Sequence, residues 1–222
     1  MSRKTNKEIV KEHLILCEGR DAQEFLIAFL NSDALADNSA FSNDIQVMDF
    51  GGNEQLAGYL SILKNMEGFQ KVKSILIVRD AEKDPRAAMD TIRATLTNCG
   101  FPVPERPCQI AKNERINIGY VLFPTCTAEV VSGALEDLCL SILAEDNNEA
   151  ILLEIDKLIQ TLGEKFDRKF SHEFKTKLHS YFSVTDEFVS LKIGEAAKAK
   201  AFNWYSEKLI PLKNFIVEMI SL

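Results

Sequence analysis

The feature that most limits what this chain can fold into is a repeated change of rhythm in its first half. Three short apolar runs, His13-Leu14-Ile15-Leu16-Cys17, Ile45 to Phe50 and Ser74 to Val78, are each followed by helical spacing. The helical stretches run from about Asp21 to Asn31, from Asn53 to about Met66, and from Pro85 to about Asn98. Several of the runs are apolar at successive positions, so both faces of those strands call for burial. Strands of that kind alternating with helices make a mainly parallel sheet flanked by helices, an α/β domain.

Between Cys108 and Phe123 the pattern predicts one or two further strands, with Lys112-Asn113-Glu114 as a hairpin turn and Gly119 to Phe123 as the buried member. After Pro124 the strand signals stop. From about Gly133 the apolar spacing is helical, as in Leu135, Leu138, Ile142 and Leu143, or Ile151, Ile155, Leu158, Ile159 and Leu162. The expected organisation is an α/β domain over residues 1–126, then a mostly helical subdomain or cap over 127–222.

Composition narrows the chemistry. With 46% hydrophobic and 27% charged residues, the 222-residue chain has enough apolar content for a packed core and is not a disordered one. It contains no long uncharged apolar stretch, and the start MSRKTNKEIVKEH lacks a signal-peptide pattern, so neither export nor a membrane partner is expected. The five cysteines (Cys17, Cys99, Cys108, Cys126 and Cys139) are scattered without a CxxC pair, which suits a reducing cytoplasm better than a disulfide framework or zinc site. Only three histidines are present, so chemistry would rest on carboxylates. The net charge of −7 argues against a sequence-blind nucleic-acid coat, but it is unevenly spread: −9 over residues 1–163 and +2 over 164–222.

In an open parallel sheet the carboxyl ends of the strands share one edge, and ligands bind there. The first strand runs out into Cys17-Glu18-Gly19, the second into Phe50-Gly51-Gly52, and the third into Arg79-Asp80-Ala81-Glu82-Lys83-Asp84. Asp80, Glu82 and Asp84 occupy alternate positions, so an extended turn can present two or three of them to one magnesium ion, with Glu18 opposite. Each also has a plainer reading. Asp84 before Pro85 is an ordinary helix start, and Asp21 with Glu24 resembles a capping box. Glu82 can be a solvated loop acid, and Arg79 and Lys83 either clamp a phosphate or are solvated charges. Gly51-Gly52 either permits a tight turn or lets a phosphate approach the backbone.

Together these features resemble a known family. A strand ending in Glu-Gly (LILCEGRDAQEFL), followed about sixty residues later by one ending in acids (ILIVRDAEKD), is similar to the Toprim domain of topoisomerases, bacterial primases and OLD-type nucleases. The segments MDFGGNEQL, GALEDLCL and IGEAAKAKAFNW resemble a narrower group of uncharacterised bacterial Toprim-like proteins related to the OLD nucleases. The resemblance implies a Toprim/Rossmann-like fold. It also implies Glu18 as an acid/base or metal-positioning group, Asp80 and Glu82 as ligands of Mg²⁺ or Mn²⁺, Asp84 as an outer acid, and Glu136 or Asp137 as an accessory acid. Gly19, Gly51 and Gly52 are the expected cofactor-binding glycines. The chain departs from the usual Asp-x-Asp with Asp80-Ala81-Glu82.

Four tyrosines and 222 residues leave no evident strand-gating body, and no primase module stands out. Phosphodiester cleavage of DNA or RNA is the expected activity. The alternative is a catalytically inactive subunit that binds a nucleotide, metal or protein, such as an ATPase, in a nucleic-acid-processing or defence assembly. Residues 165–177 interleave Lys165, Arg168, Lys169, Lys175 and Lys177 with Phe166, Phe170 and Phe174. The four-residue step puts the three rings on one helix face, expected in the core, and leaves the cations for phosphates. Trp204 and Tyr205 are likewise expected to pack, and Cys17 and Cys126 to be inert buried thiols.

Overall fold

A computed structural model describes residues 8–35 and 43–221. The charged start therefore lies mostly outside the described residues. Five strands, β1 (His13–Glu18), β2 (Ile45–Gly51), β3 (Ser74–Asp80), β4 (Ile110–Lys112) and β5 (Asn117–Phe123), form one sheet in the order β2-β1-β3-β5-β4. All neighbouring pairs are parallel except β4 and β5, which form the antiparallel hairpin expected between Cys108 and Phe123. Its turn is held by the Asn113 side-chain oxygen, which accepts from the amides of Arg115 and Ile116 at 2.9 Å. The fold is α/β, with a helical C-terminal region.

The winding follows from chain direction. From β1 the chain moves outward to β2 and then returns past β1 to β3. Because parallel crossovers are right-handed, the reversal places successive helices on opposite faces. Thus α1 (Arg20–Leu30) covers one face through Phe25, Leu26 and Phe29, which pack with Ile15, Cys17, Leu76 and Val78. Helices α2 (Leu56–Leu63) and α3 (Pro85–Asn98) cover the other through Leu60, Leu63, Ile92 and Leu96, against Leu14, Leu16, Ile75 and Ile77.

The C-terminal helices all add to the α1 face. Helix α4 (Leu135–Leu143) continues through a π-helical turn, Ala144–Asn148, into α5 (Glu149–Phe166). Then come α6 (Glu173–Ser183), α7 (Ile193–Lys198) and α8 (Ile210–Ile220). Leu138, Leu178, Phe182, Ala196, Leu212 and Phe215 share the core that includes Ile15 and Val78, so this segment is packed onto the sheet. Trp204 stacks edge-on against Phe25 at 5.2 Å, while Tyr205, expected to pack, is 70% exposed.

Two further local expectations are corrected. Asp21 and Glu24 do not form a capping box, because α1 begins one residue earlier than Asp21, directly after Gly19, and both acids face α7. Asp21 accepts from the Gly194 amide at 3.2 Å, and Glu24 pairs with Lys198 at 2.7 Å and Arg20 at 2.8 Å. Nor do Phe166, Phe170 and Phe174 share a helix face: α5 ends at Phe166, and Asp167 takes a left-handed conformation that redirects the chain. Phe170 packs partly on the core, whereas Phe166 and Phe174 are 58% and 54% exposed. Among the described residues no helix is long and apolar enough to cross a membrane.

Candidate functional site

The strand order reverses between β1 and β3, and a crevice at such a reversal is where open α/β sheets bind ligands. Glu18 ends β1 and Asp80 ends β3, so the topology brings the two predicted acids to that place. Their side chains belong to different faces. Arg79 continues the Ile75–Ile77 face and Asp80 the Leu76–Val78 face, since side chains alternate along a strand.

On the first face, the Arg79 Nε donates to the Glu18 Oε2 at 3.2 Å. Arg79 is 2% exposed, and its Nη1 is buried without a hydrogen-bond partner among the described residues. It is thus neither a solvated surface charge nor an exposed clamp, because the strand alternation that buries Ile75 and Ile77 buries it too. Lys83, its partner in that expectation, is exposed.

On the second face, the Asp80 Oδ1 accepts from the Leu135 amide at 3.0 Å, at the start of α4. Ala134, at the N-cap position, has no side-chain acceptor, so Asp80 caps that helix from β3. Burial raises the Asp80 carboxyl to about 8, reinforced by the negative charges of Glu18, Glu136 and Glu82, and opposed by the Leu135 amide. Asp137 accepts from the Ala134 amide at 2.8 Å and belongs to the helix start, which leaves Glu136 as the acid of that segment bearing on Asp80.

The loop after β3 is clasped to the one before α4. Glu82 adopts a left-handed φ of 58° and exchanges backbone hydrogen bonds with Gly133 at 2.8 and 2.9 Å. Its side chain is exposed, as is Asp84. Asp84 accepts from the amides of Arg86 and Ala87 at 3.0 and 3.1 Å, the helix-start geometry anticipated beside Pro85.

Asp49 was missed. Its Oδ1 accepts from the Gly19 amide at 2.9 Å and the Gly51 amide at 2.6 Å, joining the turns after β1 and β2. Its signal in the sequence is an acid two residues before Gly51, which ends β2. Gly19 and Gly51 hold φ of 84° and 93°, where a side chain is strained, and their amides are engaged by Asp49. Gly52, at φ −81°, requires no such freedom. Cys17 and Cys126 are buried, and burial drives both thiols up, as befits inert groups.

The donors here are carboxylate oxygens, which suit a hard divalent cation; magnesium commonly takes one or two protein carboxylates and completes its octahedron with water and phosphate. Among the described residues no group of three or more His, Cys, Asp or Glu is arranged as a metal cage. The crowding that lifts Asp80 is the kind a bound cation relieves.

The family profile DUF3226, described as a protein of unknown function, matches residues 12–221. The chain belongs to the DUF3226 family. Neither the curated proteins nor the solved structures contain a match to it. The DUF3226 match spans β1 through α8, so the acidic strand ends and the helical region both lie within it.

Proposed function

We propose that this DUF3226 protein is a Toprim-like enzyme that cleaves phosphodiester bonds of nucleic acid with the help of Mg²⁺ or Mn²⁺. The observation that carries the reading is the placement of Asp80 and Glu18: the half-buried Asp80 ends β3 and Glu18 ends β1, at the point where the strand order reverses. Asp80 with Glu18 or Glu82 would hold the cation. When bound, a divalent ion neutralises charge developing on the nonbridging and leaving oxygens of a phosphodiester. Glu18, at the same edge, would share that cation or take the proton of an attacking water. Asp49 keeps the Gly19 and Gly51 turns together beneath that edge, and Asp84 holds the acidic loop to α3.

Cleavage of single- and double-stranded DNA and RNA, assayed with Mn²⁺ and Mg²⁺ in wild type and Asp80→Asn, tests the reading. Metal-dependent cleavage that the substitution removes is expected; activity retained in Asp80→Asn overturns it. A second reading, an inactive nucleotide-, metal- or partner-binding subunit of a larger assembly, is favoured by the Glu18–Arg79 ion pair, which engages the acid a cleavage mechanism needs. Partner binding, for instance to an ATPase, without cleavage under any of these conditions would favour that reading.

A further inference from the structure

Arg79 is one of the largest fully buried side chains among the described residues, and a guanidinium stays charged at any physiological pH. Burying it is costly unless its donors are used. Here Nε reaches Glu18 while Nη1, on the same rigid planar group, is buried with no acceptor among the described residues. An orphaned donor of this kind costs more than a paired one contributes, so a wholly structural ion pair would be expected to use the fork better. The pair also lies at the end of β3 beside Asp80, where the strand order reverses.

On the reading that this edge takes a cation and a phosphodiester, we propose that Arg79 is a positioning residue with two states. Without a cation it holds Glu18; once the carboxylate turns to the ion, the released guanidinium turns the edge that carries the unpartnered Nη1 to the oxygens of the phosphate. The site would then be gated, with the phosphate-binding fork freed only when the cation is in place. Phosphate suits the fork because it offers several oxygens at the spacing of adjacent N–H groups.

The Nε–Hε signal of Arg79 in NMR spectra of the full chain, identified by its loss in Arg79→Lys, tests this with Mg²⁺ and inorganic phosphate as probes. Mg²⁺ should shift it, phosphate added with Mg²⁺ should shift it again, and phosphate alone should not. Calorimetry on the same samples separates the failures. If Mg²⁺ binds, and Asp80→Asn abolishes that binding, an unmoved Arg79 signal overturns the two-state role and leaves the metal site standing. If Mg²⁺ does not bind with or without phosphate, the metal reading and this inference fall together. In Arg79→Gln, Mg²⁺ should bind about tenfold more tightly or better, because the Glu18 carboxylate no longer gives up a charged hydrogen bond to reach the ion. Unchanged affinity in that variant counts against the gate, and should it fail to fold, the wild-type signal decides alone.

Discussion

At the carboxyl edge of the sheet, Asp49, Asp80 and Asp84 are each held by backbone amides, and Glu18 by a buried arginine. At the turn between α5 and α6 the opposite holds: Phe166 and Phe174 are more than half exposed, Lys165 lies 5.6 Å from the Phe166 ring centre, and Arg168 and Lys169 are exposed. The first region is preorganised, as a site for chemistry must be, since a misplacement of about 1 Å can cost about 100-fold in rate. The second offers exposed rings and cations. That suits stacking and phosphate contact, which tolerate many sequences and poses.

The contrast can be broken most sharply at Asp80. Asp80→Asn keeps an acceptor for the Leu135 amide, so the fold should persist by circular dichroism while metal-dependent cleavage falls more than about 100-fold; even outer-shell partners of a metal cost roughly 10 to 100-fold. Unchanged cleavage would mean that the edge is rigid for structural reasons alone.

The next effect is in pH. The Asp80 carboxyl is raised from 3.8 to about 8, so across that window the folded chain holds a proton that the unfolded chain has released. This component of stability is present below 3.8 and is lost as pH rises through about 8. With divalent ions chelated, the thermal midpoint should fall by several degrees from pH 5 to 8, and Asp80→Asn should flatten the fall. A wild-type midpoint that rises over the same range would contradict the assigned environment.

Asp49→Ala strips the acceptor from the Gly19 and Gly51 amides and should cost about 2 kcal/mol in denaturant unfolding, because part-buried donors are left unpaired. The smallest stability change is expected at the turn between α5 and α6. Phe166→Ala with Phe174→Ala should move stability by less than about 0.5 kcal/mol, as surface substitutions do. If the exposed rings stack on bases, the same pair weakens binding of single-stranded oligonucleotides by about 1–3 kcal/mol per base lost, measured by fluorescence anisotropy. A large stability loss instead would assign the rings to packing and erase the difference between the regions.

What the amino-acid sequence determined by itself was mostly local. Apolar runs such as Leu14 to Cys17 and Ser74 to Val78 marked the parallel strands, since burial on both faces leaves a continuous signature. Asp84-Pro85 marked the start of α3, where one side chain meets amides two and three residues on. That Glu18 and Asp80 end strands was also legible, and the rule for strand ends then placed both acids at one edge.

Long-range packing decided the rest. The sequence did not distinguish a buried Arg79 from a solvated one, because its environment is built by Glu18 and by strands distant in the chain. Asp21 and Glu24 matched a local capping pattern, yet α7, more than 170 positions away, took both carboxylates. Asp80 caps a helix 55 positions further on, and Phe166 and Phe174 left a common face because one left-handed residue, Asp167, ended α5. Hydrogen bonds and charge pairs of this kind act over a few ångströms in space, and only the tertiary fold determines which residues come within that range.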